Sequence, residues 1–149
     1  MNLFLLLIHG LSAVLLWGAL THQAVALWWP GSRAGTGFWN GLRGVRAERY
    51  SRAVAVLFVS TLVLGAVLYA PFRVLVRAAY LDANVPWATG LFEIKEHAAA
   101  IGLAVLPAYL AAWKEPQTLR TRRALTTMLT LIVWFNYLVG HVVNDVKGL

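Results

Sequence analysis

The chain has 149 residues, of which 60% are apolar and 13% are Asp, Glu, Lys or Arg, whereas soluble domains contain about 25% charged residues. A soluble domain and a disordered tail are both excluded, because this much apolar surface cannot remain in water. The sequence has no cysteine, which also excludes disulfides, iron–sulfur clusters and covalently attached c-type haem.

The net charge of +7 could suggest a nucleic-acid partner. The basic residues, however, lie between long apolar runs and do not form one polar face, so we predict no nucleic-acid binding. The charge is better interpreted as a signal of membrane topology, and the lipid bilayer is the first expected partner.

Four segments qualify, in whole or in part, as stretches that cross a hydrocarbon core of about 30 Å. We predict membrane-spanning helices at about residues 3–29, 53–70, 86–113 and 124–146. A basic inner loop, residues 30–52, and an outer interfacial loop, residues 71–85, connect them, with Pro71 ending the second span and Pro86 beginning the third. The predicted fold is therefore a single all-α domain, an up-down antiparallel four-helix bundle in the membrane.

The distribution of Lys and Arg predicts the orientation of these spans. One side carries nine basic residues: Arg33, Arg43, Arg46, Arg49, Arg52, Lys114, Arg120, Arg122 and Arg123. The other side carries four: Arg73, Arg77, Lys95 and Lys147. By the positive-inside rule both termini face outward, toward the periplasm if the protein lies in a bacterial inner membrane.

Ionisable residues inside membrane spans are costly and are functional candidates by default. His9 lies about two turns into the first span from the outside, and His141 lies near the outer end of the fourth. Glu93, Glu96 and His97 lie two to three turns into the third span. Three helices thus place histidines at a similar depth in the outer part of the bundle. Glu93 and His97 are four residues apart and share a helix face, whereas Glu96 is rotated by about 100°.

The fourth span carries polar and aromatic residues at helical spacing, which predicts one face turned toward the bundle interior. These residues are Thr127, Thr130, Trp134, Tyr137, His141 and Asn144.

Two imidazoles at one depth suit a b-type haem, whose iron takes two axial histidines. His97 and His141 are the favoured pair because their spans are neighbours in sequence, and His9 replaces one of them if the helices pack differently. Tyr137 and Trp134 would pack on the macrocycle, and Arg73 or Arg77 would pair with its propionates at the outer surface. This predicts an electron-transfer protein linked to quinol or to other membrane or periplasmic redox subunits.

Three other interpretations stay open at this point. His9, His97 and His141 with Glu93 or Glu96 could bind a copper, iron or zinc ion. A proton relay or quinone site without metal could use the residues Glu93, Glu96, His97, His141 and Asp145. The same side chains could instead bind helices together in an accessory subunit of a membrane complex. No nucleophile-and-base arrangement specifies a reaction, so the catalytic residues are unknown.

The positions of His9, His22, His97 and His141 in spans one, three and four resemble the small membrane b-type cytochromes of the cytochrome b561 type. The resemblance implies electron exchange between quinones and partner proteins through haem held by two histidines. That family commonly carries two haems with histidines at both membrane levels. Here the second span has no histidine and the inner level has only His22, so the resemblance implies a single haem on the outer side.

Overall fold

The computed structural model describes residues 3–29, 37–38, 47–115 and 119–147. These residues form four long helices and no strand: α1 (Leu3–Trp28), α2 (Tyr50–Phe72), α3 (Pro86–Lys114) and α4 (Leu119–Val146). Each belongs to a helical stretch that is long and apolar enough to cross a membrane, which confirms the all-α prediction with four candidate spans. Arg33, Arg43 and Arg46 of the predicted inner loop lie outside the described residues.

The second helix does not end at Pro71, contrary to the sequence prediction. It includes Pro71 and continues as a π-helical segment, Arg73–Leu81, and a helical turn, Asp82–Asn84. Proline lacks an amide hydrogen and its ring crowds the carbonyl four residues earlier. The helix nevertheless continues through Pro71, and the wider π turns begin only after it, at Arg73. Residues 71–84, predicted as an outer interfacial loop, are therefore helical.

The helical stretch ends instead just before Val85, whose backbone angles are φ −143° and ψ 62°. Val85 precedes Pro86, and a residue before proline is disfavoured in the α-helical region. Pro86 then starts α3 at a first-turn position where its missing amide hydrogen costs nothing.

The helices pack in a ring, in which α1 and α3 each contact both α2 and α4. Two clusters of buried apolar side chains hold the ring together. The larger cluster comprises Leu16, Leu20, Leu27, Val54, Phe58, Leu106, Tyr109, Trp113, Leu129 and Val133. The smaller cluster packs the π-helical segment against α3 and α4 through Val76, Leu81, Ala88, Val139 and Val143.

The polar face of α4, predicted to turn toward the bundle interior, makes hydrogen bonds with α1. The Trp134 indole donates a hydrogen bond to the Thr21 hydroxyl at 3.0 Å, and the Trp28 indole donates to the Thr127 hydroxyl at 3.0 Å. Each bond joins side chains on different helices, so both the indole and the hydroxyl find partners without water.

The fourth helix begins at Leu119, five residues before the predicted start, and its first turns hold arginines that bind the ends of neighbouring helices. The Arg122 side chain donates from Nε to the Ala112 carbonyl at 2.7 Å and also binds the Glu115 carbonyl. Arg123 donates to the Leu27 carbonyl at 3.2 Å. Carbonyls at helix C-termini have no partner within their own helix and carry partial negative charge, so a cation there is stabilising.

We expect Arg122→Ala to lower the free energy of unfolding by about 1–2 kcal/mol, because two carbonyls at the end of α3 lose a charged donor. Reversible unfolding in mixed detergent micelles measures this change. Arg120→Ala removes an exposed arginine from the same helix turn and should cost less than about 0.5 kcal/mol. Equal effects from the two variants would contradict a specific role for Arg122.

Candidate functional site

A cavity of about 490 Å³ lies inside the helix ring, with walls from all four helices. Along α2 and α3 it lies between the two apolar clusters. Most of its lining is apolar, which is typical of a small-molecule or cofactor site. The polar side chains of this central cavity are His9, Thr61, Lys95, Glu96, Asn136, Tyr137, His141 and Asn144.

His9 enters the central cavity from α1 and packs against α2 at Gly65. A Cβ atom on Gly65 would lie 3.2 Å from Cε1 of the His9 ring, so the ring occupies the space that glycine leaves. The Nδ1 atom of His9 is buried and has no hydrogen-bond partner among the described residues. An orphaned buried nitrogen is costly, which makes His9 a candidate for binding a ligand.

His141 enters the central cavity from α4, at the end of a row of aromatic rings. It meets the Tyr137 ring edge to face, with centroids 4.5 Å apart and an angle of 75°. Tyr137 in turn stacks on Trp17 of α1 at 5.4 Å, and Trp17 contacts Trp134 at 4.8 Å. This row fixes α4 against α1 and restricts the orientation of the His141 ring.

An ion pair inside α3 adds charge to the cavity wall. The Lys95 Nζ atom lies 2.8 Å from Oε1 of Glu96 and 4.6 Å from the centroid of the Phe92 ring. From the sequence, Glu96 is a candidate ligand, and Lys95 is counted only among the basic residues of the outer side. A lysine next to a glutamate inside a predicted span was the available signal, because an unpaired charge there is unfavourable.

His97 does not line the central cavity, so the favoured pair of His97 and His141 is not brought together there. The α3 residues in the cavity wall are Lys95, Glu96 and Ala99. His97 is exposed, and its Nδ1 donates to the Glu93 carbonyl at 2.7 Å. Neighbouring residues on a helix point about 100° apart, so turning Glu96 inward turns His97 away.

Glu93 also lies outside the cavity, although the shared face had placed it beside His97. Its carboxylate binds the Arg77 guanidinium at 2.5 Å. Arg77 further contacts Asp82 at 3.5 Å and the Tyr69 hydroxyl at 3.4 Å. Arg73 and Arg77 line a second, separate cavity, so neither is positioned at the wall of the central cavity for the predicted pairing with haem propionates.

Of the remaining predicted residues, one lines the central cavity and the others lie outside it. Tyr137 lines the central cavity, whereas Trp134 contacts α1 beside it. His22 lies near the opposite end of α1, where its ring is 5.3 Å from that of Tyr50. Within the described part of the chain, no group of three His, Asp or Glu side chains is arranged to hold a metal ion. The metal set of His9, His97, His141, Glu93 and Glu96 is therefore not assembled.

Comparisons with protein-family models, with curated protein sequences and with solved structures find no match to this chain. The central cavity and the residues that line it are therefore the basis for a proposed function.

Proposed function

We propose that this protein is an integral membrane electron-transfer protein that would hold one b-type haem in the central cavity through His9 and His141. The observation that carries the proposal is that two imidazoles, from α1 and α4, line one largely apolar cavity. The sequence favoured His97 and His141 as the pair that binds haem. Here His9 takes the place of His97, an alternative that the sequence left open.

The residues of the cavity suit a flat, apolar cofactor. Its volume of about 490 Å³ lies within the range of about 300–1,000 Å³ that cofactor sites occupy. Gly10 and Gly140 contribute lining with open space where a side chain would be, which leaves room for a planar ring. Bound haem supplies one-electron exchange at its iron.

The protein side chains would orient the cofactor. Gly65 positions the His9 ring, and Tyr137 restricts the rotation of His141. Apolar walls from Leu16 and Phe58 lower the local dielectric, which is one means by which a protein sets a redox potential.

The proposed arrangement in the membrane is an up-down antiparallel bundle with both termini on the periplasmic side of a bacterial inner membrane. It is supported by the excess of Lys and Arg in the connections after α1 and α3. The central cavity then lies nearer the outer face, where quinol or a periplasmic redox subunit could exchange electrons with it.

Spectra of the full chain, purified in mild detergent after expression with excess haem, test the proposal. We expect the wild type to give the sharp reduced-minus-oxidised bands of low-spin b haem. His9→Ala and His141→Ala should each abolish these bands, because each removes one axial ligand. Helix content by circular dichroism and elution volume in detergent confirm that the variants fold.

Two further histidines of the same chain are matched controls. His97→Ala and His22→Ala should keep the haem bands, because neither residue lines the central cavity. Loss of the bands in His97→Ala with retention in His9→Ala would overturn the ligand pair. A wild-type protein that stays colourless with excess haem would overturn the cytochrome proposal and favour an accessory subunit.

A quinone in the same cavity is the second candidate function. The Lys95–Glu96 pair favours it, because an ammonium group can donate to a quinone carbonyl while apolar walls hold the ring. Quinone that co-purifies with the colourless wild type and is lost in Lys95→Met would support this candidate. Its retention in Lys95→Met would exclude the proposed contact.

A further inference from the structure

The second cavity lies at the end of the bundle that holds the C-terminus of α4. It is an open groove of about 360 Å³ along one helical stretch, lined by Tyr69, Arg73, Arg77, Ala78 and Asp82, of which Arg73, Ala78 and Asp82 are exposed. It shares no lining residue with the central cavity. The π-helical segment, which supplies most of this lining, packs against α3 and α4 through the smaller apolar cluster.

One of the charged side chains around the second cavity is not paired. Arg77 lies between two carboxylates, at 2.5 Å from Glu93 and 3.5 Å from Asp82. Asp82 also accepts a hydrogen bond from the Thr89 hydroxyl at 2.9 Å. The guanidinium of Arg73 has no ion pair or hydrogen bond with any described residue. The lining therefore includes one cation whose donors are not used within the described part of the chain.

Hydrogen-bond donors from two residues line this cavity. The Arg73 guanidinium offers a planar fork of N–H groups, the geometry that matches the oxygens of a phosphate. The Tyr69 hydroxyl accepts from Arg77 at 3.4 Å, so its own hydrogen stays available for donation. Stacking on Phe92, with centroids 5.8 Å apart, holds the Tyr69 ring in place.

The second cavity lies where lipid headgroups are expected. The helical stretch Ala47–Asn84 has 38 residues and would be roughly 55 Å long at 1.5 Å per residue, well beyond a hydrocarbon core of about 30 Å. Val74 and Leu75, next to Arg73, are 64% and 60% exposed. Exposed apolar side chains beside an arginine are typical of the boundary between acyl chains and headgroups.

We propose that the second cavity binds a phosphate group, presented by an anionic phospholipid, through Arg73 and Tyr69. The proposal is independent of haem, because it uses none of the central-cavity residues. It also gives a different role to an arginine that the sequence had assigned to haem propionates.

Native mass spectrometry of the full chain tests the proposal, with detergent micelles that contain phosphatidylglycerol. We expect Arg73→Ala to lower the fraction of protein that retains the lipid by about five-fold, the effect of one interfacial cation. Tyr69→Phe should lower this fraction by a smaller factor, because it removes the hydroxyl and preserves the stacked ring. Arg52→Ala is the matched control, because it removes an exposed arginine from the opposite end of α2.

Unchanged lipid retention in Arg73→Ala would overturn the proposal, as would an equal loss in Arg52→Ala, which would indicate only diffuse charge. The second measurement is the stabilisation of the protein by inorganic phosphate alone. Stabilisation of the wild type but not of Arg73→Ala by millimolar phosphate, with no lipid retained, would support the phosphate site and overturn lipid as its source. Retained phosphatidylglycerol without an effect of free phosphate would support the lipid source.

Discussion

Gly65→Leu is expected to remove the haem spectrum while leaving both axial histidines in the sequence. Even a Cβ atom at this position would lie 3.2 Å from Cε1 of His9 and 3.8 Å from its Nδ1. The further carbons of leucine would occupy the space of the ring and force it out of its position. Overpacking of this kind costs about 1–3 kcal/mol, which a domain with about 5–15 kcal/mol of stability tolerates. The variant should therefore fold without binding its cofactor.

Gly18→Leu is the matched control for this substitution. Gly18 lies on α1 with open space where its side chain would be, so leucine there should leave the reduced-minus-oxidised spectrum unchanged. Gly65→Ala should give an intermediate result, because the His9 ring needs to move by only a few tenths of an ångström. Full haem content in Gly65→Leu would show that the position of His9 is not required for binding.

The four helices could be predicted from the sequence because each depends on a property of a continuous segment. α1 illustrates this, since its residues include no Asp, Glu, Lys or Arg, and an apolar segment in lipid must satisfy its backbone groups internally. The end of α2 depends on a competition that the sequence does not settle. Pro71 disfavours a regular α-helix, but the π-helical segment continues the helix beyond it.

The residues of the central cavity could be predicted only in part, because the rotation of α3 about its axis decides which side chains face inward. Glu93, Glu96 and His97 lie within about 100° of one another around the helix axis, whereas Lys95 faces away from Glu93 and His97. The spacing alone does not decide which of these two sides faces inward. The structure turns Glu96 and Lys95 toward the cavity. His9 and His141 were candidates from their depth, but their position in one cavity depends on the packing of α1 and α4.

The interpretation of Arg77 changed for a related reason. Arg73 and Arg77 line the second cavity together. The partner Asp82 follows five residues after Arg77 in the same helical stretch, whereas the partner Glu93 comes from α3. Such a long-range ion pair depends on how the π-helical segment packs on α3, and no periodicity in the sequence reports that packing.

The second large effect is expected at a hydrogen-bond network that crosses the ring between α1 and α3. The Tyr109 hydroxyl donates to Oε1 of Gln23 at 2.6 Å, and Nε2 of Gln23 donates to the Ala47 carbonyl at 3.1 Å. Both side chains are fully buried. One glutamine thus joins α3 to the turn that precedes α2, and its removal leaves a donor and an acceptor without their partner.

Gln23→Leu should lower the free energy of unfolding by about 1–3 kcal/mol, because the buried Tyr109 hydroxyl becomes unsatisfied and the Ala47 carbonyl loses one donor. Unfolding in mixed detergent micelles measures the loss. Tyr109→Phe in the same chain should restore part of it, since the double variant no longer buries an orphaned hydroxyl. Strictly additive losses would mean that the two side chains do not interact. Because neither residue lines the central cavity, the folded fraction of Gln23→Leu should keep its haem bands, which separates this stabilising network from the cofactor site.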